Sequence, residues 1–327
     1  MGHYRETTSP RVTLVDRDVY LIDLFHLGEP RLIGAYLIMD ERPALVEVGP
    51  ANSLEHLLEG LHLLGLDPQA LECVLLTHIH LDHGGATGHL LERFPHLTVY
   101  VHPNGAPHLV DPSRLLRSAQ RLFGDIDARF GPAKPVDPGR IHVLGDGQEV
   151  RLGRRILVAL DAPGHAGHHL VYWEPEQRWA FAGDVCGVHL PDGFYVNPPT
   201  PPPEFHLDLW LRSIWRIRAL SPRRLLYTHF GWTDTPEKYL DSLESGLRAR
   251  AEMVRRELEA GTASERICEL FRERFEGEMA RVLGPILLER YRRLGDARIN
   301  TLGLVRYWQK HRRVGPQEGF PGGPPNG

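Results

Sequence analysis

The sequence predicts an α/β protein: a layered sandwich of strands and helices, with an all-helical region after it. Three observations predict this. As far as Thr235, short apolar or β-branched runs alternate with amphipathic stretches. They fall into two similar halves, as an internal pseudo-repeat would. From Pro236 onward strand signals cease and only helical periodicity remains.

In chain order, "VTLVD", "VYLIDLF", "GAYLIMD" and "ALVEVG" read as strands separated by turn residues. "NSLEHLLEGLHLLG" carries leucines at helical spacing behind a cap at Asn52 or Ser53, and stops at Gly65. "LECVLLT" is a short buried strand, "ATGHLLERFP" a helix ended by Pro95, and "LTVYVHP" a strand again. Residues 104–140 hold one helical stretch, "SRLLRSAQRLFG", and a Pro/Gly-rich loop. Strands resume in "RIHVLGDGQEVRLGRRILVALDAPGH", where Gly-Asp-Gly has the composition of a hairpin turn. "HHLVYWEPEQRWAFAGD" gives two strands around "EPEQ", and "NPPTPPPE" is a stiff proline loop. "FHLDLWLRSIWRIRAL" is an amphipathic helix, and "RRLLYTHFGW" a last strand running into a loop. The helical region follows in four segments, 237–261, 262–275, 278–295 and 297–313. The expected division is therefore a sandwich over 1–235, a helical extension over 236–313, and a disordered Gly/Pro-rich tail over 314–327.

Composition narrows the function. The chain has 327 residues and a formal charge of -4, so no basic face for nucleic acid is expected. Its 3 cysteines are far apart, which argues against a disulfide framework and fits a reducing compartment. Cys73 and Cys268 sit in apolar patterns and read as buried packing residues. No apolar run reaches membrane length, and "MGHYRETTSP" lacks the core of a signal peptide. A cytoplasmic protein acting on a small molecule, with no membrane partner, is expected.

The chemistry concentrates in "THIHLDHGG", residues 77–85. His78, His80, Asp82 and His83 all belong to metal-ligand types. Alternate residues of an extended segment project to one side, so His78 and His80 can share an ion. A turn at Asp82 and His83 then serves a second ion. Gly84 and Gly85 let the backbone bend and start a helix. A His-rich surface loop without metal is the bland alternative, and such dense spacing directly behind an apolar strand weighs against it. His165, Asp184 and His229 each stand where a strand gives way to a loop, the usual place for sites in α/β folds. Any one alone is unremarkable, since strand-end Asp and His are commonly turn residues. Together with the first loop they supply enough donors for two ions.

The H-x-H-x-D-H segment, the Pro-Gly-His at His165, the Gly-Asp at Asp184 and the last-strand His229 resemble the metallo-β-lactamase superfamily over residues 12–233. "APGHAGHH", "TPPPEF" and "YTHFG" resemble a glyoxalase-II-like prokaryotic subgroup. The resemblance implies a four-layer αββα sandwich with metals in a cleft at one edge of both sheets. It implies a first ion on His78, His80 and His165, a second on Asp82, His83 and His229, and Asp184 between them. Two divalent ions are expected, zinc first, with iron or manganese as alternatives. A hydroxide bridging them would cleave an ester, thioester or lactone, with Asp82 both ligand and proton acceptor. A mononuclear iron persulfide dioxygenase shares the same motif and stays open, as does a non-catalytic binding protein on the same fold. Glu47, where the family often has Asp, is expected to support a ligand from behind. His169, Tyr195 and Phe230 are candidate substrate contacts, with a core role the alternative for each. The C-terminal helices would bind the thiol part of a substrate, form a homodimer interface, or simply stabilise the sandwich.

Overall fold

The strands expected from the alternating pattern pair into two sheets, as seen in a computed structural model that describes residues 11–311. The expected tail at 314–327 lies outside the described residues. Strands β1 (Val12–Asp16), β2 (Val19–Asp23), β3 (Gly34–Ile38) and β4 (Ala44–Val46) form an antiparallel meander. Helix α1 (Leu54–Leu63) then crosses to β5 (Cys73–Leu75), which lies parallel to β4. After α2 (Leu81–Gly84) and α3 (Thr87–Arg93) comes β6 (Thr98–Val101), again parallel. A helical insertion of α4 (Ala106–Val110), α5 (Ser113–Phe123) and α6 (Ile126–Phe130) precedes the edge strand β7 (Ile141–Val143).

The second sheet repeats the plan. Strands β8 (Glu149–Arg151), β9 (Ile156–Asp161), β10 (Leu170–Glu174) and β11 (Trp179–Phe181) meander antiparallel. Helix α7 (Leu207–Ala219) then crosses to a parallel β12 (Arg224–Tyr227). The sheet orders are β1-β2-β3-β4-β5-β6-β7 and β13-β12-β11-β10-β9-β8. One apolar cluster draws on the inner faces of both, from Leu21, Tyr36 and Leu75 to Leu157, Tyr172 and Phe181. Helices cover the outer faces, so the four-layer sandwich stands.

Some local expectations change. Gly145-Asp146-Gly147 closes no hairpin: β7 pairs with β6 and β8 with β9, so this turn carries the chain from one sheet to the other. A turn-forming sequence dictates reversal, not which strand becomes the partner. The chain also folds back after β12 into a further short strand, β13 (Gly231–Thr233). Cys73 is buried, but Cys268 is only half-buried.

Helix α8 (Pro236–Glu259) starts where the pattern shifts. Helix α9 (Ser264–Val282) runs past its expected end, and Pro285 opens a separate α10 (Pro285–Leu294), so residues 278–295 are not one helix. Proline suits a first helical turn and breaks an interior one. Helix α11 (Ala297–His311) completes the region. Leu240, Leu243, Leu247, Ala251 and Val254 form the inward stripe of α8, and they share one apolar cluster with Trp210, Leu211 and Ile214 of α7. The extension thus shares a core with the outer layer of the second sheet. Leu243→Ala should therefore destabilise the whole chain by about 2–5 kcal/mol, in one cooperative urea transition. A separate early transition for the helices alone would show that they fold as their own unit.

Candidate metal centre

Five loops reach the same edge of the sandwich because the parallel pairs β4–β5 and β11–β12 end there. Glu47 follows β4, His78 follows β5, Asp184 follows β11 and His229 follows β12. His165 sits in the β9–β10 connection. Hydrogen bonds between the sheets lock this edge. Leu170 N–H donates to Thr77 O at 2.7 Å, and Gly34 N–H to Thr228 O at 2.8 Å. Tyr172 Oη donates to Leu76 O at 2.9 Å, and Tyr36 Oη to Tyr227 O at 2.9 Å.

His78 and His80 lie on the extended segment after β5, while Asp82 and His83 lie in the single turn α2. Gly85 has an ordinary helical φ of -61, so its role is not conformational freedom. A Cβ there would stand 2.2 Å from Leu81 O and 3.3 Å from Pro50 Cα. Gly183 needs both kinds of latitude: its φ is +50, and a Cβ would meet Thr77 Oγ1 at 2.5 Å and His169 Nε2 at 2.7 Å. Only glycine lets the backbone before Asp184 pass that close.

All seven expected ligand side chains converge. His80 Nδ1 lies 3.0 Å from His78 Nε2 and 3.0 Å from His165 Nε2. Asp184 faces two ways: Oδ1 is 3.3 Å from His83 Nε2 and 3.4 Å from His229 Nε2, while Oδ2 is 3.6 Å from His165 Nε2. Asp82 Oδ2 is 3.6 Å from His229 Nε2. His78, His80 and His165 form one group able to hold an ion, and Asp82, His83 and His229 form another.

The hydrogen bonds behind the rings fix their tautomers. His165 Nδ1–H donates to Pro199 O at 2.9 Å, leaving a lone pair on Nε2. The Thr77 hydroxyl donates to Glu47 Oε1, so Thr77 Oγ1 accepts from His78 Nδ1–H at 3.0 Å. His78 Nε2 therefore also turns a bare lone pair inward. Burial, then the neighbouring imidazoles, push the pKa of His78 and of His80 well below the usual value, and burial lowers that of His165. All three are neutral donors. His83 differs: burial disfavours its charge, yet the Asp184, Asp82 and Glu47 carboxylates hold its pKa well above the ordinary imidazole value. Burial likewise opposes the charge of Asp184, but His229 and His83 keep its pKa well below the carboxylate range. A proton on His83 balances the carboxylates where a cation would otherwise do so. His83 Nε2 and Asp184 Oδ1 are buried without a hydrogen bond. A donor set of inward lone pairs and unpartnered carboxylate oxygen fits divalent ions.

Glu47 is fully buried behind both groups, bonded to Thr77 and 3.3 Å from His83 Nδ1. The three expected substrate contacts do not line the cavity over the cluster. His169 is fully buried, and its Nε2 accepts from Asp184 N–H at 3.1 Å and Val185 N–H at 3.3 Å, so it holds the Asp184 loop. Tyr195 points its hydroxyl at Arg250 and stacks edge-on against Tyr291. Phe230 packs into the main core beneath Gly34. His168 is 3% exposed and lines the cavity, with Nε2 3.4 Å from Glu204 Oε2. Burial, then His165, pushes its pKa down to about 3. The proline loop walls the cavity through Pro199 and Pro201–Pro203. The loop is tied to the helical extension: Thr200 N–H donates to Asn300 Oδ1 at 2.9 Å, and Thr200 Oγ1 to Asn300 O at 2.8 Å. Asn300 of α11 thereby fixes the segment whose carbonyl orients His165.

The sequence profile of the metallo-beta-lactamase superfamily matches residues 29–229. The chain belongs to this superfamily. A metallo-beta-lactamase fold-containing protein of Sulfurisphaera tokodaii is 26% identical over 207 residues, 62% of this chain and 74% of that protein. A hydroxyacylglutathione hydrolase of Methylobacterium sp. (strain 4-46) is 28% identical over 60% of this chain, and the match covers 64% of its own length. For the hydroxyacylglutathione hydrolase of Legionella pneumophila (strain Lens), 31% identical, the match covers only 34% of its length. Among solved structures, a metallo-beta-lactamase family protein of Thermus thermophilus superposes with a TM-score of 0.67 at 22% identity, covering 91% of this chain and 95% of that one. That likeness speaks for the fold alone. Family and relatives support a metal-dependent hydrolase, and the superfamily implies divalent metal ions. Among the described residues no helix is long and apolar enough to cross a membrane.

Glu47→Gln removes the charge behind both groups while keeping an acceptor for Thr77. It should weaken metal binding by about 10- to 100-fold, read by competition with a chromogenic chelator. An unchanged affinity would show that Glu47 does not tune the ligands.

Proposed function

We propose that this chain is a binuclear metallohydrolase that cleaves an ester, thioester or lactone bond. The observation that carries the reading is the position of Asp184, one oxygen toward His83 and His229 and the other toward His165. His78, His80 and His165 would hold one ion, Asp82, His83 and His229 the other, with Asp184 shared. Divalent ions there, zinc first and iron or manganese as alternatives, would supply an acidified water and an electrophile for the attacked carbonyl.

The chain's own groups do the rest. Thr77 and Pro199 O hold the imidazoles of His78 and His165 in ligating tautomers. The Asp82 side chain is 24% exposed, lines the cavity and can take a proton from the attacking water. The apolar walls of the cavity keep bulk water from the reacting bond. Cys186, two residues beyond Asp184, is buried, and burial pushes its thiol pKa up, so it serves as no nucleophile.

Elemental analysis of purified protein should find about two metal equivalents per chain. The same sample should cleave esters, thioesters or lactones in a panel that also holds phosphodiesters and glutathione persulfide. One iron with oxygen uptake on the persulfide would instead identify a dioxygenase. His80→Ala should strip metal from the first group and abolish turnover, and full retained activity would refute the assignment. Asp184→Asn should lower the rate at saturating substrate by more than about 100-fold, beyond the range of losses of groups that only support ligands.

A further inference from the structure

The cavity above the cluster is lined at one end by His80, Asp82, His165, Asp184 and His229. Its volume is about 240 Å³. Besides the proline loop, two segments outside the sandwich wall it away from the cluster. One is the insertion between β6 and β7, where α5 presents Leu115, Leu122 and Phe123 and α6 presents Phe130. The other is the α10–α11 corner, with Leu294 and Ile299.

Helix α5 is sharply two-faced. Leu115, Ala119, Leu122 and Phe123 share one side, while Arg117, Gln120 and Arg121 are exposed on the other. Only Leu115 on its apolar side touches a large core, and Ala119, its one buried residue, joins neither. It contributes to a small separate cluster with Leu81, Ile126 and Phe130, and Leu115, Leu122 and Phe123 stay half-buried. A helix stripe of this kind is normally covered. Here what it faces is the space next to the metal-ligating side chains.

The ionisable groups on that space beyond the cluster are few. Two carboxylates, Glu204 and Asp296, stand against one guanidinium, Arg114, with His108 and His168 besides. His168 faces Glu204, with Nε2 3.4 Å from Oε2. This balance makes no cationic clamp for the two carboxylates of a thiol carrier such as glutathione inside the cavity.

The geometry points to a substrate with a neutral apolar arm, an alkyl chain or aromatic ring on the acyl side of the cleaved bond, seated between α5 and the α10–α11 corner. This assignment of substrate class rests on the hydrolase reading above. A carbonyl held at the cluster leaves such an arm nowhere drier to lie than against Leu122, Phe123 and Ile299. Each buried methylene then adds to recognition by area alone.

Two measurements test it. The first is calorimetric binding of N-methyl butanamide, hexanamide and octanamide, uncleaved isosteres of acyl esters, to the protein with its metal. Affinity should climb about threefold to fourfold per methylene. An affinity that does not change along the series overturns the proposal. The second is kcat/KM for the thioesters of the same acyl chains beside S-lactoylglutathione. Rates should climb with chain length and exceed the glutathione substrate, and a preference for S-lactoylglutathione overturns the proposal. If no ester, thioester or lactone is cleaved while affinity still climbs, the hydrolase reading falls and the apolar subsite stands. Leu122→Asp and Leu294→Asp, one from each wall, should flatten both profiles. Arg121→Asp, on the exposed side of α5, should leave them steep. A steep profile retained in both wall variants would place the arm elsewhere and overturn the assignment.

Discussion

Everything at the working edge of this protein follows from one constraint: nitrogen and oxygen lone pairs are pressed together out of water. His78, His80 and His165 meet nose to nose, and His83, His229 and two carboxylates crowd beside them. Like-signed electron density at such distances is repulsive unless a positive charge lies among it. The arrangement can persist only because surrounding structure over-determines it. The tautomers are pinned from behind, and both sheets are stitched together at that edge by main-chain and tyrosine hydrogen bonds.

The C-terminal helices belong to this support. Their apolar stripe finishes a core that the second sheet and α7 leave open. Through Asn300 and Thr200 they also hold the carbonyl that orients His165. A helical region can therefore be distant in sequence from every ligand and still set the geometry of one. Tyr291 does similar work nearby, accepting from Leu190 N–H and donating to Tyr195 O.

Much of this was legible in the sequence, for a physical reason. Ligand types at strand ends announce themselves, because a buried strand can display a polar side chain only where it stops. His78, His165, Asp184 and His229 each follow an apolar run, and each arrives at the same edge. What stayed hidden depends on partners far away in the chain. Nothing in "GDGQEV" says that β7 has already paired with β6. Nothing in "GHAGHH" says that His169 turns back to the Asp184 backbone while His168 turns to the cavity. The apolar stripe of α5 looks in sequence like that of any helix packed on a core. Only the fold shows that it was left half-covered.

The insertion that carries α5 hangs between β6 and the outermost strand of its sheet, and it supplies none of the proposed ligands. Loops at such margins tolerate change better than the elements they join. Drift there can reshape which molecules are admitted while the reacting edge is inherited untouched. In this chain the ancestry of the chemistry and the ancestry of its selectivity can part company.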